Sequence, residues 1–235
     1  MMKTLVTFTI ILLIVYGIVA VPTIFYNEAR VGVLLLFILL ASSSIIAIVL
    51  MAAGEDLKSM RMDEYVVTGV LAAIFSTGVF WGMMLPGVLY EIPLLSPFII
   101  MLANYLPKAV VYGIAIGYTC RPFTSTLFFL IWGIASEIMF PNPVWAPYYV
   151  AWGAILDLFL MSSKGDLIIK RDLILLGFIF GYAGWGLTKA YEIILWGNWH
   201  PLRLVMLAMV MNGSVTSLGV SLGYKIGRKA KVLIP

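Results

Sequence analysis

The sequence predicts an all-α integral membrane protein of about eight transmembrane helices, and three observations carry that reading. Apolar residues make up 63% of the chain and charged residues only 11%, against roughly 25% charged in an ordinary soluble domain. The apolar residues gather in runs of about 20, the length that crosses a hydrocarbon core. Lys and Arg divide unequally between the two sets of connections, as the positive-inside rule requires. A soluble chain of 235 residues has too little interior to hide so much apolar surface. Soluble enzymes and disordered classes are excluded on that ground.

The elements follow in chain order. The first span covers 4–26. Lys3 and the apolar run behind it resemble a signal peptide, but the run continues to about Tyr26, longer than the usual apolar region of about 7–15 residues. It reads as a retained helix. The second span, 31–53, completes a hairpin of nearly pure Leu, Ile and Val with no intramembrane charge, suited to packing or insertion. Residues 54–64 carry six charged side chains, Glu55, Asp56, Lys58, Arg61, Asp63 and Glu64. This polar break divides the chain into 1–64, a transmembrane hairpin with its cytoplasmic loop, and 65–235, a six-helix core.

Within the core the spans fall at 65–84, 98–120, 123–140, 145–163, 172–191 and 203–224. Pro107 and Lys108 interrupt the second of these. Either that helix is kinked, or it starts near Asn104 and 85–103 is an apolar loop folded back over the bundle. With the N-terminus inside, Arg30, Lys108, Lys189 and Arg203 fall outside and the other eleven of the fifteen Lys and Arg fall on the cytoplasmic side. Both termini are then cytoplasmic and the protein sits in the plasma membrane. The net charge of +4 reads as anchoring to an anionic leaflet rather than as a nucleic-acid surface. One cysteine, Cys120, cannot form an intramolecular disulfide.

Several chemistries are missing. A single histidine, His200, leaves no paired-histidine haem site and no polyhistidine zinc site, so neither cofactor nor metal is expected. No P-loop sequence occurs. A hydrolase built on Ser214 would have to borrow that one histidine without a supporting motif.

The informative presences are ionisable groups in apolar spans, each costing about 2.5–3.5 kcal/mol at a helix centre. Glu137, Lys108, Lys189, Arg203, Glu91, Glu192 and His200 all fall in the outer half; Asp157 alone lies toward the cytoplasmic end of its helix. Aromatic residues crowd the same outer half, among them Trp81, Tyr90, Tyr105, Trp145, Tyr148 and Trp185. An interfacial belt explains any one of them. Their excess on one side points to an outward pocket in which rings stack on a flat ligand and Glu137 pairs with its cationic or donor group. The alternative for Glu137 is a structural ion pair with Lys108 or Lys189. Small residues recur at four-residue spacing as Gly69, Ala73 and Thr77, as Gly113 and Gly117, and as Gly219, Gly223 and Gly227. Such stripes let helices approach closely, within the chain or against a partner.

Three patterns together resemble a family. Arg121-Pro122 opens a helix that reaches Glu137, followed by Phe140-Pro141-Asn142-Pro143 and the Gly153 helix. The Gly69, Ala73, Thr77 stripe marks the core's first helix. Asn212-Gly213-Ser214 runs through Gly219 and Gly223 to Lys225 and a basic tail. Over about 65–231 the chain resembles the substrate-binding (S) component of energy-coupling factor vitamin transporters, closest to the thiamine and hydroxymethylpyrimidine branch. The resemblance implies a six-helix core that binds a small micronutrient on its outer face, beneath a loop that here is 85–103. It also implies a transmembrane coupling subunit, docked on Gly69, Ala73 and Thr77, and two ATPase chains. The extra hairpin, and Gly and Thr where the family stripe has Ala, depart from that pattern.

The reading that results is a non-enzymatic capture subunit of an ATP-driven importer. Glu137 would supply polar recognition, Trp145, Tyr148 and Trp185 the stacking walls, and Trp81 and Tyr90 the gate, while Lys189 and Arg203 would receive any anionic group. The alternative is a structural subunit of a larger membrane complex with no ligand. A membrane-embedded enzyme would need a reactive cluster that the sequence lacks.

Overall fold

The computed structural model describes residues 60–84, 101–139, 146–162, 170–198 and 202–233. The expected N-terminal hairpin and most of the expected loop, 85–100, lie outside them. Among the described residues every regular element is helical. They are α1 (Met62–Met84), a π-helical turn (Met101–Tyr105) that runs into α2 (Leu106–Thr119), α3 (Thr124–Met139), α4 (Ala146–Ser162), α5 (Lys170–Trp196) and α6 (Leu202–Leu233). Each of the six spans expected for the core has its helix.

The helix ends are set by local chemistry. At the start of α1, Glu64 accepts the Arg61 backbone N–H at 3.0 Å, half of a capping box. Pro107 lies in the first turn of α2, where its missing N–H costs no intrahelical bond. The sequence left a kink or a start near Asn104 open; instead a π-turn from Met101 leads into Pro107. Cys120 ends α2 in the left-handed region with φ of 55°. Its N–H bonds the Ile116 carbonyl at 2.8 Å, which satisfies one of the last free acceptors.

Two helices run beyond their expected ends. α5 continues to Trp196, with Lys189 and Glu192 paired at 2.5 Å on its last turns. The basic tail after 224 is also helical, because α6 stays in contact with α2 there: a Cβ on Gly227 would fall 2.2 Å from the Ile114 carbonyl oxygen.

The helices close a ring. α1 packs on α2 and α3, α2 on α6, α6 on α5, α5 on α4, and α4 back on α3. Aromatic rings fill the middle: Phe75, Tyr112, Phe128, Phe129, Trp152 and Phe180 are all at most 1% exposed. Tyr112 stacks on Phe180 with centroids 4.9 Å apart, and Phe75 meets Phe128 edge-on at 5.0 Å. Such pairs add about 0.5–1.5 kcal/mol each beyond area burial. The exterior is aliphatic instead. Val66, Val70 and Ile74 on α1, Ile134 and Ile138 on α3, and Leu218 and Leu222 on α6 are each more than half exposed.

Two of the three small-residue stripes are spent on contacts within the ring. A Cβ on Gly113 would lie 2.5 Å from the Val220 carbonyl oxygen, one on Gly117 2.3 Å from that of Tyr224, and one on Gly223 2.0 Å from that of Val110. The backbones of α2 and α6 are therefore in direct contact, which only glycine permits. A polar ladder holds α6 to α5: the Asn212 amide donates to Gly181 O at 2.9 Å, Thr216 to Gly177 O at 2.7 Å and Ser217 to Ile174 O at 2.9 Å. The third stripe differs. A Cβ on Gly69 would meet nothing closer than Ile131 Cδ1 at 3.6 Å, and Ala73 is exposed. Thr77 also lies on α1.

Among the described residues one helical segment, Leu204–Leu233, is both long and apolar enough to cross a bilayer. The apolar segments Thr124–Met139 and Tyr148–Met161 are shorter than the about 20 residues a perpendicular span needs.

Candidate functional site

The two ends of the ring carry different chemistry. One end gathers the start of α1, the end of α2, the start of α3 and the end of α6. Here Glu64, only 1% exposed, receives Arg121 Nε at 3.3 Å and Lys231 Nζ at 3.0 Å. Tyr118 donates to Asp63 at 3.1 Å. Every carboxylate of this knot has its cations and donors in place, so its work is to lock four helix ends together.

Asp157 belongs to the same half. Fully buried on α4, it accepts the Ser125 N–H at 3.1 Å and the Thr126 N–H at 2.7 Å. These are among the first N–H groups of α3, which have no intrahelical acceptor. Phe123, with φ of 72°, offers no side-chain oxygen, so the cap comes from a neighbouring helix. Close approach makes this feasible: a Cβ on Gly153 would lie 2.7 Å from Thr126 Cα. The one acid that broke the outer-half pattern is thus a structural cap.

At the opposite end, the start of α2, the ends of α3 and α5 and the start of α4 converge. Lys108 on α2 is 9% exposed, and its ammonium lies 5.6 Å from the centroid of Tyr105 and 5.8 Å from those of Phe75 and Trp132. It makes no ion pair with any described carboxylate. Tyr105 in turn contacts Trp185 at 5.7 Å, and Lys189 stands over the Trp185 ring at 5.1 Å. Tyr148 joins α4 to α5 through a 3.0 Å hydrogen bond with Thr188. The indole N–H groups of Trp132 and Trp185 are buried and find no acceptor among the described residues. The Asn104 carboxamide oxygen, one turn before Lys108, likewise lacks a partner; that group can present either its oxygen or its NH2.

Of the residues the sequence singled out, the structure therefore gathers Tyr148, Trp185 and Lys189 at one end. Lys189 is already paired with Glu192. Trp81 lies on α1 and Arg203 on α6, while Trp145 and Tyr90 lie outside the described residues. Glu137 is elsewhere. It lines a groove of about 310 Å³ between α3 and α4 with Gly133, Ile134, Ile138 and Tyr149. Ile134 and Ile138 are 55% and 77% exposed, so the groove opens on the outside of the ring. The ion pair considered between Glu137 and Lys108 does not form, because Lys108 faces aromatic rings inside the bundle while Glu137 lines a groove on its outside.

Sequence reasoning noted Lys108 and Tyr105 but did not choose them, and it passed over Trp132. A usable signal existed: Phe128, Phe129, Trp132 and Ser136 recur at three and four residues, marking the inward face of α3. Lys108, one turn after Asn104, is the only charge in the apolar stretch before Arg121. No protein-family model, curated protein or solved structure matches this chain.

Proposed function

We propose that this chain is a multi-pass plasma-membrane protein with both termini cytoplasmic that captures a small organic micronutrient for an ATP-driven importer of the energy-coupling factor type. It carries no chemistry of its own. A transmembrane coupling subunit and ATPase chains supply the energy. Thiamine or its pyrimidine precursor is the ligand that the family resemblance implies.

One observation carries this reading: Tyr105, Trp132 and Trp185 converge at one end of a six-helix ring with a buried lysine that has no ion-pair partner among the described residues. Rings supply stacking surface and the polar atoms supply orientation, the usual composition of a small-molecule site. The cationic knot at the other end and the aliphatic exterior support an upright position in a bilayer, with the aromatic end outward. The open face of α1 around Gly69 and Ala73 supports partner docking. That same face also favours the second reading, a structural subunit of a larger membrane complex.

Mass spectrometry of small molecules released from gently purified protein tests the capture reading. A stoichiometric small organic molecule is expected. Protein that carries none and copurifies with many membrane subunits would replace capture by the structural role.

A further inference from the structure

The cluster around Lys108 consists of donors in excess of acceptors. A lysine ammonium offers three N–H groups and no acceptor, and an indole offers one N–H and no acceptor. Lys108, Trp132 and Trp185 are 9%, 5% and 9% exposed, so bulk water does not serve them freely. Neither indole nitrogen has an acceptor among the described residues. Among the described residues Lys108 has neither a hydrogen bond nor an ion pair, only three ring faces at 5.6–5.8 Å. Cation–π contacts at this distance offset only part of the cost of taking an ammonium out of water. The Asn104 carboxamide, also without a partner, can present its oxygen or its NH2 but carries no charge, so what the cluster lacks among the described residues is an acceptor with negative charge.

Resting on the capture reading, we propose that Lys108 and the indole N–H groups of Trp132 and Trp185 form a recognition site for an anionic oxygen group, best matched by the carboxylate of a molecule with a flat apolar body. One buried positive charge balances one carboxylate; a phosphate dianion would leave an uncompensated negative charge among apolar rings. The second lysine of this end does not alter the balance, because Glu192 neutralises Lys189. The rings of Tyr105 and Trp185 flank the site and supply the stacking surface. Among the described residues of this cluster a permanent cation such as a thiazolium meets no carboxylate other than Glu192, which Lys189 already holds, so the substrate class moves from cationic vitamins toward carboxylates. An anionic lipid headgroup shares this chemistry.

The test uses the full chain in phosphatidylcholine nanodiscs, with tryptophan fluorescence read during titration with benzoate and, separately, with its neutral isostere benzamide. Benzoate is expected to shift the emission saturably, and benzamide is not. Lys108→Met is expected to weaken the benzoate response about 10- to 100-fold, the range for a lost hydrogen bond to a charged group. Lys108→Arg, which keeps the charge and so guards against misfolding, should retain part of it. Trp185→Phe should weaken it while leaving thermal unfolding near wild type.

Equal responses to the two probes, no response to benzoate, or a response unchanged in Lys108→Met would overturn the proposal. So would a benzoate response that appears only in Glu91→Gln, because the counter-charge would then be internal. Saturation by phosphatidylglycerol nanodiscs that blocks benzoate would assign the site to lipid and overturn the substrate assignment. A neutral or cationic molecule released from the purified protein would defeat the carboxylate site and leave capture standing. Protein that releases nothing and ignores both probes would defeat capture itself.

Discussion

Replacing Asp157 by alanine tests the structural account at its most quantitative point. The carboxylate is fully buried and holds the Ser125 and Thr126 N–H groups at 3.1 and 2.7 Å. Alanine removes both acceptors and leaves two donors in a place where water does not replace them. Each buried donor left unmade costs about 1–3 kcal/mol, so the pair costs about 2–6 kcal/mol. The lost negative charge at a helix N-terminus adds about 0.3–1 kcal/mol. Taking about 4 kcal/mol, the melting temperature should fall by about 10 °C for a chain of this size. Asp157→Asn keeps one oxygen and turns an NH2 toward the second donor, so it should fall between wild type and alanine. The assay is thermal unfolding of detergent-purified protein followed by intrinsic fluorescence, with benzoate binding measured in parallel. An Asp157→Ala protein within about 0.5 kcal/mol of wild type, the range of an ordinary surface change, would refute the capping role.

Further outcomes follow from the same contacts. Gly223→Ala places a methyl 2.0 Å from the Val110 carbonyl oxygen and should destabilise by at least the about 1–3 kcal/mol of an overpacked core. Gly69→Ala meets nothing nearer than 3.6 Å and should melt at or above wild type, since alanine is favoured over glycine in a helix by about 0.5–1 kcal/mol. Gly69→Leu should leave folding intact and reduce copurification with a coupling subunit; unchanged copurification would remove α1 from the docking role. Glu64→Gln withdraws the buried charge shared by Arg121 and Lys231, and breaking such a pair should cost about 3–5 kcal/mol, read by the same melting assay. Lys229→Cys, on the exposed face of α6, should react with a membrane-impermeant maleimide in inverted vesicles, where the cytoplasmic side meets the reagent, and not in intact cells. Labelling from outside would reverse the orientation.

The sequence by itself determined the helices of the core and their approximate extents, the start around Pro107 excepted, because hydropathy and charged or Pro-rich breaks are local properties. It also marked the glycine stripes of α2 and α6, since four-residue spacing is written along one helix. What it could not say was which stripe meets which. Gly113, Gly117 and Gly223 meet backbone within the ring while Gly69 does not, and that choice depends on the order of helices around the ring. The ionisable residues show the same division. Spacing located Glu137, Lys108 and Asp157 in apolar spans, but their roles depend on rotation about the helix axis and on neighbours far away in sequence. Asp157 caps a helix some thirty residues earlier, Glu137 faces an outer groove, and Lys108 faces three rings from three segments. A helix one residue longer turns each side chain by about 100°, so only the packed ring fixes which polar group is satisfied and which is left for a ligand.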